Sequence, residues 1–208
     1  DAFRYTNAER AKQEVLSAEK KAAAREFAAH SFVLLKNEKQ LLPLKRSGSI
    51  ALIGPLANNK NNMLGTWAVS GNKDLAIPVL DGMKTVGGDN VKIVYAKGAN
   101  ISDDTSFAKK VNVFGPKIEV DTRSPQEMID EAVELAKQSD VIVMIVGEAS
   151  EMSGESASRS DIAIPASQKK LMKELKKTGK PLVLVIMAGR PLTINWEMEN
   201  AGSLVYVY

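Results

Sequence analysis

The sequence predicts an α/β fold, a mostly parallel sheet with helices on both of its faces, and three observations predict it. Short β-rich apolar runs alternate with longer segments at helical spacing along most of the 208 residues. Such alternation joins parallel strands through right-handed helical crossovers. The run 141–146, Val-Ile-Val-Met-Ile-Val, is apolar at every position and ends at Gly147, the profile of a central parallel strand. The segment ahead of it opens with Ser124-Pro-Gln-Glu127, a helix start with a Ser cap, Pro in the first turn and Glu three residues past the cap.

The elements follow in order. Residues 9–36 hold helix formers with no Gly or Pro, and Ala24, Phe27, Ala28, Leu34 and Leu35 fall at helical spacing, so one long or broken helix is expected. After a turn around Pro43, the stretch 49–54 reads as a buried strand ended by Gly54-Pro55. Residues 55–77, rich in Asn, Gly and Ser and holding Trp67, form a long loop, and loops of that length are usually functional or disordered. A helix over 78–86 (Val79, Leu80, Met83, Val86) and a strand over 91–96 follow; the polar stretch 98–122 gives no clear assignment.

The helix begun at Ser124 runs to about residue 139, with Met128, Ile129, Ala132, Val133 and Ala136 on one face. Residues 165–178 form a second helix whose Leu171 and Leu175 face inward, while Lys169, Lys170, Lys173, Lys176 and Lys177 make a solvated outer face. Gly179-Lys180 ends it. A strand over 181–187, a turn at Gly189-Arg-Pro191, a short helix and a last strand over 203–208 complete the pattern. One α/β domain over 1–208 is expected, and because the sequence stops on a strand with nothing to cover it, we expect a piece of a longer chain.

Composition excludes several classes. Apolar residues at 44% and charged residues at 25% suit a globular protein, and no stretch approaches the roughly 18 apolar residues that span a bilayer. A net charge of +3, from 28 basic and 25 acidic residues, leaves no field for nucleic acid, and no basic block interleaves with aromatics. Without Cys there are no disulfides, thiolate nucleophiles or zinc-thiolate sites, which leaves the compartment open. Residues 1–10 lack the basic start and apolar core of an export signal.

Ligands of open parallel sheets bind beyond the carboxyl ends of the strands, and two long polar loops leave those ends: 55–77 and 147–164. No Gly-rich phosphate cradle follows a strand, which argues against a nucleotide-binding regulator of doubly wound fold, and no cofactor is implied. No nucleophile elbow is present, and His30, the only His, sits between Phe27 and Leu34 as a structural residue would. Asp103 and Asp104 read as a solvated turn before they read as a calcium site. The loop 147–165 gathers Glu148, Glu151, Glu155, Arg159 and Asp161 among small residues. Composition alone favours a plain polar surface loop there; the functional alternative is a carboxyl group that protonates a leaving oxygen.

A resemblance changes that weighing. Ser31-Phe-Val-Leu-Leu-Lys-Asn37, Leu42-Pro-Leu44, Ile50-Ala-Leu-Ile-Gly-Pro-Leu-Ala57, Gly65-Thr-Trp67 and Tyr95-Ala-Lys-Gly-Ala-Asn100 run in order along the chain. After them come Ser139-Asp-Val-Ile-Val-Met-Ile-Val-Gly-Glu148, Glu155-Ser-Ala-Ser-Arg159, Ile164-Pro-Ala-Ser-Gln168 and Gly179-Lys-Pro-Leu-Val-Leu-Val-Ile-Met-Ala-Gly-Arg-Pro191. Together they resemble the second, α/β sandwich domain of family 3 glycoside hydrolases, and most of all the bacterial periplasmic β-glucosidases among them.

The resemblance implies a retaining, exo-acting β-glucosidase-like enzyme that releases terminal non-reducing sugars. It implies a (β/α)₈ barrel ahead of this chain, supplying an Asp nucleophile, with residues 1–36 as a helical lead-in. It makes Glu155 the acid/base, Trp67 an aromatic platform for the leaving-group sugar and Arg159 a substrate-binding residue. Arg159 and Lys97 are equally readable as surface ion pairs, and Trp196 as structural. The family motif commonly carries Asp beside the Arg where this sequence has Ser158, which keeps Glu151 as second choice. A glycoside or oligosaccharide substrate, the barrel in cis and a periplasmic location follow from the same resemblance. A non-catalytic carbohydrate-binding or interaction module of the same fold is the alternative; the chain by itself is expected to be inactive.

Overall fold

A computed structural model describes residues 2–68, 70–111, 115–155 and 157–208. The chain divides into two units, Asp1–Phe32 and Val33–Tyr208. The first holds α1 (Ala8–Glu14) and α2 (Ala18–Ser31), started by side-chain caps from Asn7 and Ser17. Leu16, at a left-handed φ of 57°, breaks the helix between them.

The second unit is built on a sheet containing β1 (Val33–Asn37), β2 (Gly48–Ile53), β3 (Val91–Ala96), β4 (Val141–Gly147), β5 (Leu182–Met187) and β6 (Ser203–Val207). Its order is β1-β6-β5-β4-β2-β3. β1 runs antiparallel to β6, and every other pair is parallel. The expected mostly parallel α/β architecture is therefore the one found.

Strands β2, β4 and β5 are apolar on both faces because both faces are covered. On one, Ala51, Ile53, Ile142, Met144, Val146, Leu182, Leu184 and Ile186 pack with residues of α5 (Pro125–Lys137) and α6 (Ala166–Lys176). Met128, Ile129, Ala132 and Ala136 are the buried residues of α5, and Gln168, Leu171, Met172 and Leu175 those of α6. On the other, Ile50, Leu52, Val143, Ile145 and Val183 meet Leu80 of α3 (Val79–Gly87) and Ala108 of α4 (Thr105–Lys110). Each fully buried Leu or Ile contributes about 1.5–3 kcal/mol. The short helix α7 (Asn195–Asn200) precedes β6.

One expectation needs correction. The helix read over 9–36 stops at Ser31, and residues 33–37 are β1. From Phe32 the backbone is extended, and Val33, Leu34, Lys36 and Asn37 pair with Tyr206, Val205, Leu204 and Ser203. Ladder bonds to a distant strand override a spacing that helix and strand share when the run is short. The ambiguous stretch 98–122 holds α4, capped by Asp104, whose carboxylate accepts from the Ser106 and Phe107 amides, both at 2.9 Å. No helix among the described residues is long and apolar enough to cross a membrane.

Candidate functional site

In this strand order β3 lies outside β2, and the chain then crosses back to β4 on the other side of β2. The carboxyl ends of β2 and β4 thus flank the point where the sheet reverses direction, the position at which open α/β sheets bind ligands. Gly54 and Gly147 sit at those two ends, with φ of 130° and 139°. A Cβ at Gly54 would lie 2.0 Å from the Ile145 carbonyl oxygen, and one at Gly147 1.8 Å from that of Met187. Only glycine allows the chain to leave each strand so close to its neighbour.

The stem of the loop after β4 is clasped by Gln168, which is fully buried in the first turn of α6. Its Oε1 accepts from the Gly147 amide at 2.8 Å, while its Nε2 donates to the carbonyls of Gly147 at 2.8 Å and Ile101 at 2.9 Å. The loop's far end is held by Thr193, whose amide donates to the Ile162 carbonyl at 3.0 Å.

Between these ends stands a buried charge cluster. Glu148, its side chain 1% exposed, takes Arg159 Nη1 on one carboxylate oxygen and Arg190 Nε at 3.2 Å on the other. Arg159 Nη2 also donates to the Ala163 carbonyl at 3.0 Å, and Arg190 Nη2 to that of Met152. Tyr206 donates its hydroxyl to the Arg190 carbonyl at 2.5 Å. Burial, with the nearby Tyr208 and Glu148, pushes the Tyr206 phenol up to about 12.

The loops after β2 and β4 meet. The Ser150 amide donates to Asn62 Oδ1 at 2.9 Å, and a Cβ at Gly154 would lie 2.4 Å from Thr66 Cγ2. Glu155 and Trp67 are the next residues after that contact, both exposed, Trp67 at 69%. Ser156 of the Glu155–Arg159 motif lies outside the described residues. Glu151 is buried, 6% exposed, with its carboxyl where a side chain on Gly115 would have to go.

Arg159 spends its fork on Glu148 and Ala163. Lys97 pairs with Asp121 at 3.5 Å, whose carboxyl the Arg123 guanidinium holds well below the usual range. Trp196 is partly buried under the Lys173 ammonium, 5.6 Å from the ring centre. Asp103 accepts from Asn100 at 2.8 Å, and His30 stands in α2, outside the sheet unit.

Sequence reasoning gave no role to Glu148, Gln168, Arg190 or Asn62. A signal was present: Gly147-Glu148 and Gly189-Arg190 put a charged residue just past two successive buried strands, where it must find a partner or remain unpaired.

Comparison with known proteins places the chain. Residues 32–208 match the glycosyl hydrolase family 3 C-terminal domain. The chain is 48% identical over 182 residues to the periplasmic beta-glucosidase of Salmonella typhimurium, covering 88% of this chain and 24% of that protein. It is 38% identical over 188 residues to a beta-xylosidase of Formosa agariphila, covering 88% of this chain and 23% of that one. Among solved structures, the beta-glucosidase of Listeria innocua in complex with isofagomine superposes with a TM-score of 0.81 at 28% identity, over 100% of this chain and 26% of its own. The GH3 beta-glucosidase of Bifidobacterium adolescentis gives 0.71 at 25% identity, over 93% and 25%. The chain spans about a quarter of the length of these relatives.

Proposed function

We propose, for a chain that belongs to the C-terminal domain family of glycosyl hydrolase family 3, that it is the acid/base-bearing domain of a retaining β-glucosidase-like enzyme acting on terminal non-reducing sugars. The relatives are named for β-glucoside and β-xyloside hydrolysis and are some four times as long, which supports a partner domain in the same polypeptide. Residues 1–32 would lead in from that domain. The periplasmic location in one relative's name supports export, to be tested by fractionating cells that express the whole protein.

The observation that carries the reading is the meeting of the two loops at Gly154 and Thr66, over the reversal point of the sheet. It puts an exposed carboxyl, Glu155, and an exposed indole, Trp67, on neighbouring segments. Retaining hydrolysis needs two carboxyl groups about 5–5.5 Å apart. In the first step a carboxylate of the partner domain attacks the anomeric carbon. Glu155 gives its proton to the leaving oxygen as the glycosidic bond breaks. In the second step water attacks the same carbon, Glu155 takes the water's proton, and the partner carboxylate leaves with its electron pair. Closure by sugar and partner domain would exclude water from Glu155 during the transfer. Trp67 would cover the apolar face of the leaving-group ring. Glu151 is less suited, since its carboxyl is buried against Gly115.

In the whole protein, Glu155→Ala should lose most activity on substrates with poor leaving groups, keep far more on dinitrophenyl glycosides, and regain turnover with azide. Equal loss on both substrates would refute the assignment. Unchanged activity would instead favour a non-catalytic module.

A further inference from the structure

We infer that Glu148 is a positioning residue that acts through Glu155, using Arg159 and Arg190 to fix where the proton donor sits. The inference rests on the reading of Glu155 given above.

Glu148 is the first residue past β4, tied to the sheet by its own amide, which donates to the Met187 carbonyl at 3.0 Å. Its carboxylate is buried and divided between two guanidiniums. Each guanidinium then grips the loop elsewhere. Arg190, anchored past β5, holds the Met152 carbonyl, three residues before Glu155. Arg159, four residues after Glu155, is bound to Glu148 and to the Ala163 carbonyl. One buried carboxylate therefore controls the chain on both sides of the donor, while the donor itself stays exposed.

Stability alone is a poor reason for such a cluster. Burying a carboxylate with two cations costs desolvation that apolar packing would avoid, whereas forked, charge-assisted bonds fix direction as well as distance. Direction matters here, because a catalytic group displaced by about 1 Å loses on the order of a hundredfold in rate.

The test uses the whole protein, with Glu148→Gln, Glu155→Ala and the double variant assayed on glucosides of graded leaving-group pKa. Glu148→Gln should lose up to about a hundredfold in kcat on alkyl glucosides and disaccharides, with a several-fold smaller loss on dinitrophenyl glucoside. Placed on Glu155→Ala, the same change should add no further loss, since a residue that acts through another has nothing left to act on. Arg190→Lys keeps the charge but not the fork and should show the same leaving-group dependence at smaller size, which decides the matter if Glu148→Gln does not fold. Equal losses across leaving groups in the folded variant, or an additive loss in the double variant, would overturn the inference and leave Glu155 as donor. Failure of Glu155→Ala itself to show leaving-group dependence would overturn the reading beneath it.

Discussion

At the scale of single residues, the loops after β2 and β4 contain both side chains that reach solvent and side chains that are buried. Glu155 and Trp67 are exposed, while Glu148, Gln168 and Tyr206 are buried. Gly147 was legible as the end of an apolar run. Glu148 and Arg190 were not legible as partners, because nothing in a linear pattern pairs residues 42 positions apart. Glu155 itself came from the resemblance rather than from periodicity, which marks a loop's place and is silent on its task. Tyr206 gives a prediction at this scale. A free tyrosine titrates near pH 10, whereas burial pushes this one up to about 12. The folded state therefore binds the proton more tightly. The stabilisation is fully present below about pH 10 and is lost as pH rises through the folded value. Loss of the proton also removes the donor to the Arg190 carbonyl. Urea unfolding of the 208-residue chain at stepped alkaline pH should show a steeper loss of stability than in Tyr206→Phe. Parallel slopes would show that the phenol is not the titrating group.

At the scale of elements, local chemistry marked most boundaries and tertiary pairing moved the rest. The start of α5 was readable because its signal is self-contained. Ser124 Oγ accepts from the Glu127 amide at 3.2 Å, and Glu127 Oε2 accepts from the Ser124 amide at 2.7 Å. The backbone amide of Ser124 is also the first cause that holds the Glu127 carboxyl below its ordinary value. By contrast β1 was read as the tail of a helix, since Val33, Leu34 and Leu35 satisfy helical spacing and the competing partner, β6, lies at the opposite end of the sequence. In α4 the Asp104 cap stood before too short a run to be noticed. The cap on α5 bears weight because this helix lays Met128, Ile129, Ala132 and Ala136 on the sheet. Ser124→Ala should cost about 1 kcal/mol. For a chain of this size that is about 2–4 °C in Tm, measurable by thermal unfolding of the 208-residue chain. A change within error would mean that packing alone fixes the end of α5.

At the scale of the whole molecule, the order of the strands is what brings the two polar loops together. The sequence allowed the two long polar loops at the carboxyl edge to be found, because parallel strands put such ends on one side, while the stretch 98–122 after β3 stayed unassigned. It did not say that β3 lies outside β2, and without that fact the neighbouring exits of β2 and β4 cannot be deduced. The same order limits what the chain can do by itself. Its two long loops put Glu155 and Trp67 on neighbouring segments and leave Asp161, also exposed, bonded to the Ala163 amide of its own turn, whereas retention needs a second carboxylate about 5–5.5 Å from the first to attack the anomeric carbon. Glu148 cannot serve, since both of its oxygens are taken by guanidiniums, and Glu151 is buried. The 208-residue chain, purified and shown to be folded by circular dichroism, should therefore leave a nitrophenyl glucoside uncleaved at concentrations where the whole protein turns it over freely. Turnover by the isolated chain that is lost with Glu155→Ala would place both carboxyls within it and would overturn the division of the site between two domains.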